Sequence, residues 1–287
     1  MNTALLTPQP HSVIESFDDV VARMIPIARL TAVQDDIRAR YWAAKPYPHV
    51  VLDGFFDERI LDRIASEFPD RDRRDWLHWD TDHENKQTSR GAAGLSPFTQ
   101  TFLWQMCSAQ MMTVLGHISG FNDLVMDPMF HGGGLHESFR NGWLNMHVDY
   151  TKHPVLPLVR RINLIIYLNR DWDSTWGGAL ELWDSATKTC GARVEPVFNR
   201  AVLFPTEGTL HGFPDPITCP SNRSRKSISF FYWGTDPEAV KQGAYINFLP
   251  GNRKARRAAF LRSLVPPIAH STGRSLKTLL SRGRPGR

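Results

Sequence analysis

The strongest constraint on how this chain folds is a change of rhythm near Gly142. Beyond it, short runs rich in Ile, Val, Phe, Trp and Leu alternate with turn residues, at 143–148, 161–168, 179–183, 192–196, 200–204, 211–213 and 225–234. Runs this brief and this closely spaced suit strands better than helices, and they predict an all-β sandwich or barrel. The region before Gly142 supplies helices that can cover the outside of such a sheet. The expected fold class is therefore α+β, with N-terminal helices packed outside a β core.

Local signals place those helices. Val20, Val21, Met24, Ile25, Ile27, Leu30, Val33 and Ile37 recur at roughly helical spacing, and Pro26 should break or kink the stretch. Pro46 and Pro48 lead into a short strand at 49–52. Asp57 is a good N-cap for a helix carrying Ile60, Leu61, Ile64 and Phe68, which Pro69 ends. Ser96-Pro97 opens a further helix running past Leu115, with Gly120 as its stop. Between these two helices, residues 70–95 are polar, charged and glycine-containing, and they read as a long loop. Three parts follow: a helical extension at 1–45, a main domain at 46–250 and a basic tail at 251–287.

Composition narrows the class. A chain of 287 residues, 41% hydrophobic with nine Trp and sixteen Phe, can bury a sizeable core and is unlike a disordered chain. Its three cysteines, Cys107, Cys190 and Cys219, are widely spaced and form no CxxC, which argues against a disulfide framework or a thiolate zinc site. A reducing, cytoplasmic setting fits that usage. The first residues lack a basic and apolar leader pattern, and no apolar run approaches the roughly 20 residues of a membrane span. The net charge of +5 is unevenly placed: the tail from Gly251 holds ten Lys/Arg and no Asp/Glu, so the remainder is mildly acidic. Phe260, Leu261, Leu264 and Val265 interleave with the tail's first basic cluster. That pattern suggests a short amphipathic helix able to meet an anionic surface, the alternative being a solvated tail.

The candidate chemistry lies in the β region. In His147-Val148-Asp149 the imidazole and the carboxylate stand two residues apart, so in a strand they point to one face. His211 begins another short strand far along the chain. Two histidines and one carboxylate with open positions form the ligand set of non-haem iron(II) oxygenases, although the short motif alone also occurs by chance. Arg225 opens an aromatic strand, and a guanidinium is well suited to grip a carboxylate through two parallel hydrogen bonds. Ser227 and Phe231 share its face. Parity also turns Asn145, two before His147, and Asn163, four before Tyr167, inward, where a bound carboxylate, a water or neighbouring backbone would satisfy their amides.

The order HVD, RRINLIIYLNRDW, GGALELW, VEPVFNRAVLFP, LHGF and RKSISFFYW resembles the prolyl-4-hydroxylase-like branch of the 2-oxoglutarate/iron(II) dioxygenase superfamily. The likeness is close over about 131–236 and loose over 47–130. It implies a double-stranded β-helix, the jelly roll shared with cupins. It implies His147, Asp149 and His211 as iron ligands, Arg225 as the anchor of the 2-oxoglutarate distal carboxylate, and Tyr167 as a hydrogen-bond donor to that carboxylate. Dioxygen completes the cofactor set. The implied reaction is hydroxylation of an amino-acid-like, peptidyl-proline or other small-metabolite substrate. A metal-binding jelly roll that uses no 2-oxoglutarate, or one without turnover, is the alternative. His153 and Arg223 read as loop residues, and His270 sits in the tail. His131, His136 and Arg140 flank the connector Gly132-Gly133-Gly134, which either borders the pocket or merely links two elements. Gly177-Gly178 reads as a turn.

Overall fold

A computed structural model describes residues 16–69, 76–235 and 247–248. The extreme N-terminus, the basic tail and the amphipathic stretch expected within it lie outside the described residues.

The helices start and stop where side chains compete for backbone groups. Helix α1 (Phe17–Met24) is capped by Ser16, whose side chain accepts the Asp19 N–H, and Pro26 separates it from α2 (Ile27–Ala43). Asp57 caps α3 (Glu58–Ser66) by accepting the Arg59 N–H. The single helix expected after Ser96 is two, α4 (Pro97–Met106) and α5 (Ala109–Ser119). The break has a local cause: the Ser108 side chain accepts the Met111 N–H and founds a new helix, because serine serves better as a cap than as an interior residue. Gly120, at φ +86°, ends α5.

Among the described residues thirteen strands form one curled sheet. They are β1 (Val50–Asp53), β2 (Leu77–Asp80), β3 (Glu84–Thr88), β4 (Val125–Met126), β5 (Gly134–Phe139), β6 (Trp143–Val148), β7 (Leu158–Tyr167), β8 (Leu180–Trp183), β9 (Cys190–Val194), β10 (Arg200–Pro205), β11 (Leu210–Phe213), β12 (Ser224–Thr235) and β13 (Asn247–Phe248). The main order is β1-β10-β7-β12-β5-β3-β6-β11-β8-β9, and the pairs are antiparallel throughout. One arm, β1-β10-β7-β12-β5, faces the other, β6-β11-β8-β9, with β3 bridging between β5 and β6. The far ends approach each other: Gly191 on β9 packs on Pro46, and the Tyr47 hydroxyl donates to the Leu210 carbonyl at 3.1 Å. This is the expected double-stranded β-helix.

Two segments differ from the sequence reading. Residues 77–88 form the β2–β3 hairpin where a long loop was expected. Its sequence lacks an apolar alternation because these strands are held by pairing and by polar contacts, such as Gln87 Nε2 donating to Glu137 Oε2 at 2.8 Å. Likewise, Gly134 is the first residue of β5, which lies between β12 and β3, so only part of the glycine run is a connector.

The sheet's two faces have opposite character. On β12, Ile228, Phe230 and Tyr232 point outward into the main core, with Leu164 and Ile166 of β7 beside them. That core also holds Ile37, Leu61, Phe102, Leu103 and Ile118 from the helices. The alternate residues Arg225, Ser227, Ser229 and Phe231 line the interior. The helices thus cover the apolar face, and the enclosed face is left free for polar work.

Candidate metal and co-substrate site

The interior contains a cavity of about 540 Å³ bordered by both arms. Strands β6 and β11 pair with His147 directly opposite His211, and their ring centroids lie 4.4 Å apart. Asp149, just past the end of β6, brings Oδ1 to 3.3 Å from His147 Nε2 and Oδ2 to 3.7 Å from His211 Nε2. All three side chains are buried, and their ligand atoms lie within 4.8 Å of one another. The Nδ1 of His147 faces the Asn145 carbonyl at 2.9 Å, and that of His211 faces the Thr209 carbonyl at 3.2 Å. Each Nδ1 therefore carries the proton, and each Nε2 lone pair turns toward the shared space. Burial, reinforced by His147, pushes the His211 imidazole down to about 4, which keeps it neutral and ready to act as a ligand. Burial alone would raise the Asp149 carboxyl, but the surrounding His147, Arg160 and His211 hold it well below the usual range. Two imidazoles and one ionised carboxylate fit an iron(II) ion.

Deeper in the cavity lies Arg225. Its Nε donates to the Gly178 carbonyl at 2.7 Å and its Nη2 to the Tyr167 hydroxyl at 3.2 Å, while the Phe213 ring lies 4.2 Å from the guanidinium carbon. Among the described residues no carboxylate pairs with this buried cation, so the interior holds a positive charge suited to an incoming carboxylate. Tyr167 accepts from Arg225 and keeps its own proton, and burial pushes its phenol up although Arg225 pulls the other way. Ser227 stands opposite both Tyr167 and His136 and lines the same floor. Arg225 and Ser227 fit a carboxylate in this cavity, whereas Tyr167 touches Arg225 but is not among the residues that line it.

The two amides are placed differently from expectation. Asn145 does not line the cavity; its Nδ2 donates to the Asp82 carbonyl at 3.2 Å. The cause is a β-bulge. His211 pairs with His147 but Phe213 pairs with Leu144, so two residues of β6 oppose Gly212, and Leu144 turns inward in place of Asn145. Glycine is required there, because a Cβ on residue 212 would come within 2.8 Å of the Leu144 and Asn145 carbonyls. Asn163 does line the cavity, but its amide is already occupied: Nδ2 donates to Asp149 Oδ2 at 2.7 Å, and Oδ1 accepts from Thr206 at 3.1 Å.

Arg160 escaped the sequence reading. Counting back by twos from Tyr167 through Asn163 puts Arg161 inside and Arg160 outside. The structure reverses them, because β12 pairs Tyr232 with Ile162 and Trp233 with Arg160, which leaves Arg161 as the extra residue of a bulge. Arg161 points out to Asp123 at 2.8 Å. Arg160 points in, 3% exposed, with Nη1 at 3.3 Å from Asp149 Oδ2 and its guanidinium carbon 3.6 Å from the Phe231 ring centroid and 4.1 Å from that of Tyr150. Among the described residues its Nε and Nη2 find no hydrogen-bond partner. The only available signal was the doubled arginine itself.

A second cluster, Asp127, His131 and His153, also has three potential ligands close together. Its hydrogen bonds argue for a clasp and not a metal centre. His153 Nδ1 accepts the N–H groups of Val155 and Leu156 at 3.1 and 2.9 Å, so that nitrogen is not free for a metal, and Nε2 lies 3.2 Å from Asp127 Oδ2 without forming a hydrogen bond. Asp127 also takes the Met129 and His131 N–H groups and His131 Nδ1. His136 lines the cavity, whereas Arg140 donates to the Thr218 and Cys219 carbonyls and Arg223 to that of Arg170, both away from it.

Residues 134–233 match the family model described as the 2OG-Fe(II) oxygenase superfamily. No curated protein matches the chain in sequence. Among solved structures, a Pseudomonas putida prolyl-4-hydroxylase is similar at a TM-score of 0.47 and 19% identity, covering 72% of this chain and 98% of that one. A Trichoplax adhaerens prolyl hydroxylase, solved with a hypoxia inducible factor peptide fragment, gives a TM-score of 0.48 and 12% identity over 79% and 97%. The α-ketoglutarate-dependent epimerase SnoN of nogalamycin biosynthesis gives 0.47 and 13% over 78% and 88%. The matched segment contains His147, Asp149, His211 and Arg225, and it is the 2OG-Fe(II) oxygenase region of this protein, a dioxygenase that works with iron(II), 2-oxoglutarate and dioxygen.

Proposed function

We propose that this dioxygenase hydroxylates an unactivated C–H of an amino-acid-like, peptidyl-proline or other small-metabolite substrate, with iron(II) held by His147, Asp149 and His211. Arg225 and Ser227 hold the distal carboxylate of 2-oxoglutarate, with Tyr167 touching Arg225. The observation that carries this reading is the convergence of two Nε2 atoms and one carboxylate in front of a buried guanidinium that has no carboxylate partner among the described residues. When bound, iron(II) and 2-oxoglutarate supply the oxidation, in which dioxygen is consumed, the co-substrate leaves as succinate and carbon dioxide, and the substrate gains a hydroxyl.

The chain's own residues perform the rest. The Asn145 and Thr209 carbonyls hold the Nδ1 side of each ring, so both Nε2 atoms are aimed at one point. Arg225 fixes the co-substrate at one end, so the orientation of its other end follows from the length of the molecule. Leu144, Ile165, Leu180, Phe213 and Phe231 wall the cavity and exclude water around the reacting centre. On the substrate side, Nε and Nη2 form one edge of the Arg160 fork, which would donate to a pair of oxygen atoms next to the metal-binding carboxylate. That supports a substrate with a carboxylate or a peptide carbonyl near the oxidised carbon. Motif order supports the prolyl-4-hydroxylase-like branch, and three free cysteines support a reducing, cytoplasmic setting. No described helix is long and apolar enough to cross a membrane.

The test is succinate release from 2-oxoglutarate with iron(II) and dioxygen, screened over free amino acids, proline-containing peptides and other small carboxylates. One substrate class should raise succinate above the uncoupled background and give a product heavier by one oxygen. Equal succinate from wild type and Asp149→Ala with every substrate would overturn the assignment.

A further inference from the structure

The turn joining β10 to β11 organises more than His211. The geometry points to Thr206 and Asn163 as a positioning relay that presents the Asp149 carboxylate to the metal through Oδ1 alone. This inference rests on the iron site proposed above, and it concerns residues outside the ligand triad.

The relay begins at Thr206, which is fully buried and whose Oγ1 donates to Asn163 Oδ1 at 3.1 Å. An isolated asparagine amide can sit either way round; a donor on its oxygen side fixes which end is nitrogen. The fixed nitrogen, Nδ2, then donates to Asp149 Oδ2 at 2.7 Å. Arg160 Nη1 adds a charge at 3.3 Å from the same oxygen. Oδ2 is therefore engaged by two donors, while Oδ1 lies 3.3 Å from His147 Nε2, the nitrogen that faces the metal site. A carboxylate bound through one oxygen occupies one coordination position, whereas a chelating carboxylate occupies two. With two histidines, single-point binding leaves three positions of an octahedron, which the co-substrate and dioxygen require.

The same turn also directs the second histidine. Thr209 Oγ1 donates to the Pro205 and Thr206 carbonyls at 2.7 and 3.1 Å, which locks the backbone whose Thr209 carbonyl faces His211 Nδ1. One short turn thus orients two ligands that come from different strands, one through backbone and one through the relay. The amide that parity assigned to co-substrate binding instead serves the metal's carboxylate.

Thr206→Val keeps the shape and removes the donor, while Thr206→Ser keeps the donor. Cobalt(II), added to metal-free protein, is the probe, because its visible spectrum reports coordination number. Thr206→Val should bind cobalt(II) about tenfold more weakly, as loss of a group that orients a ligand typically does, and its spectrum should shift toward a more closed set. Thr206→Ser should match wild type in both. Asn163→Ala, read in the same way, provides a second variant should Thr206→Val fold poorly. Unchanged affinity and spectrum in Thr206→Val or Asn163→Ala would overturn the relay, as would a Thr206→Ser variant as weak as the valine. If wild-type protein itself fails to bind cobalt(II), the iron site fails and the relay fails with it.

Discussion

The carbonyl of Gly178 accepts the Nε–H of Arg225 at 2.7 Å, so a residue just ahead of β8 sets the direction of the guanidinium on the cavity floor. Gly178 has φ +76°, and a Cβ there would lie 3.1 Å from Arg225 Cδ and 3.3 Å from Ile217 Cγ1. Gly178→Ala should lose about 1–2 kcal/mol of stability from the left-handed backbone alone. Because the added methyl group also displaces Arg225, affinity for 2-oxoglutarate should weaken by roughly tenfold, the equivalent of one hydrogen bond. Urea unfolding and co-substrate titration measure the two effects separately, and a variant that is less stable but binds 2-oxoglutarate normally would show that Gly178 serves only the turn.

Arg225→Lys retains the charge and loses the planar fork together with the Nε contact to Gly178. The KM for 2-oxoglutarate should rise about 10- to 100-fold, the usual worth of a hydrogen bond to a charged group, with a smaller change in kcat. Steady-state kinetics with 2-oxoglutarate varied at saturating substrate provides the check. A KM like that of wild type would place the co-substrate carboxylate elsewhere.

Asp149→Ala removes the only carboxylate of the triad and leaves Asn163 Nδ2 and Arg160 Nη1 facing empty space. Stoichiometric iron(II) binding and succinate formation should both disappear. Metal analysis after desalting, alongside a succinate assay, reads the two losses. Retained turnover in this variant would remove Asp149 from the metal site.

His136 predicts an acid limb of stability. Burial, together with Lys86 and Arg225, pushes its imidazole down from the usual 6.5 to about 3 in the folded protein. The unfolded chain therefore takes up this proton first as pH falls. The contribution is fully present above about 6.5 and is lost progressively as pH drops toward about 3. His136→Gln cannot titrate, so the wild-type-minus-variant difference in urea midpoint should shrink between pH 7 and pH 4. A difference that stays constant across that range would mean that His136 is not held neutral.

Much of this architecture is legible in short-range patterns. The caps at Ser96 and Asp57, the break at Pro26 and the bounds of β6 follow from which groups compete for a nearby N–H and from the alternation of side chains. His147 and Asp149, two apart, meet at the metal site, and Arg225, Ser227 and Phe231 share the inner face of one unbroken pairing register. Wherever a strand keeps strict alternation, the sequence by itself determines what points inward.

Tertiary pairing decided the rest. A bulge adds a residue to one strand only, and it reverses inside and outside for everything beyond it. That is why Leu144 replaces Asn145 at the cavity wall, and why Arg160 enters while its neighbour Arg161 leaves. The β2–β3 hairpin is likewise invisible locally, because strands β5 and β6, far along the chain, supply its hydrogen bonds. Residue types and spacing specified a ligand set and a strand rhythm; the register between strands, which no single stretch encodes, selected which side chains meet in the interior.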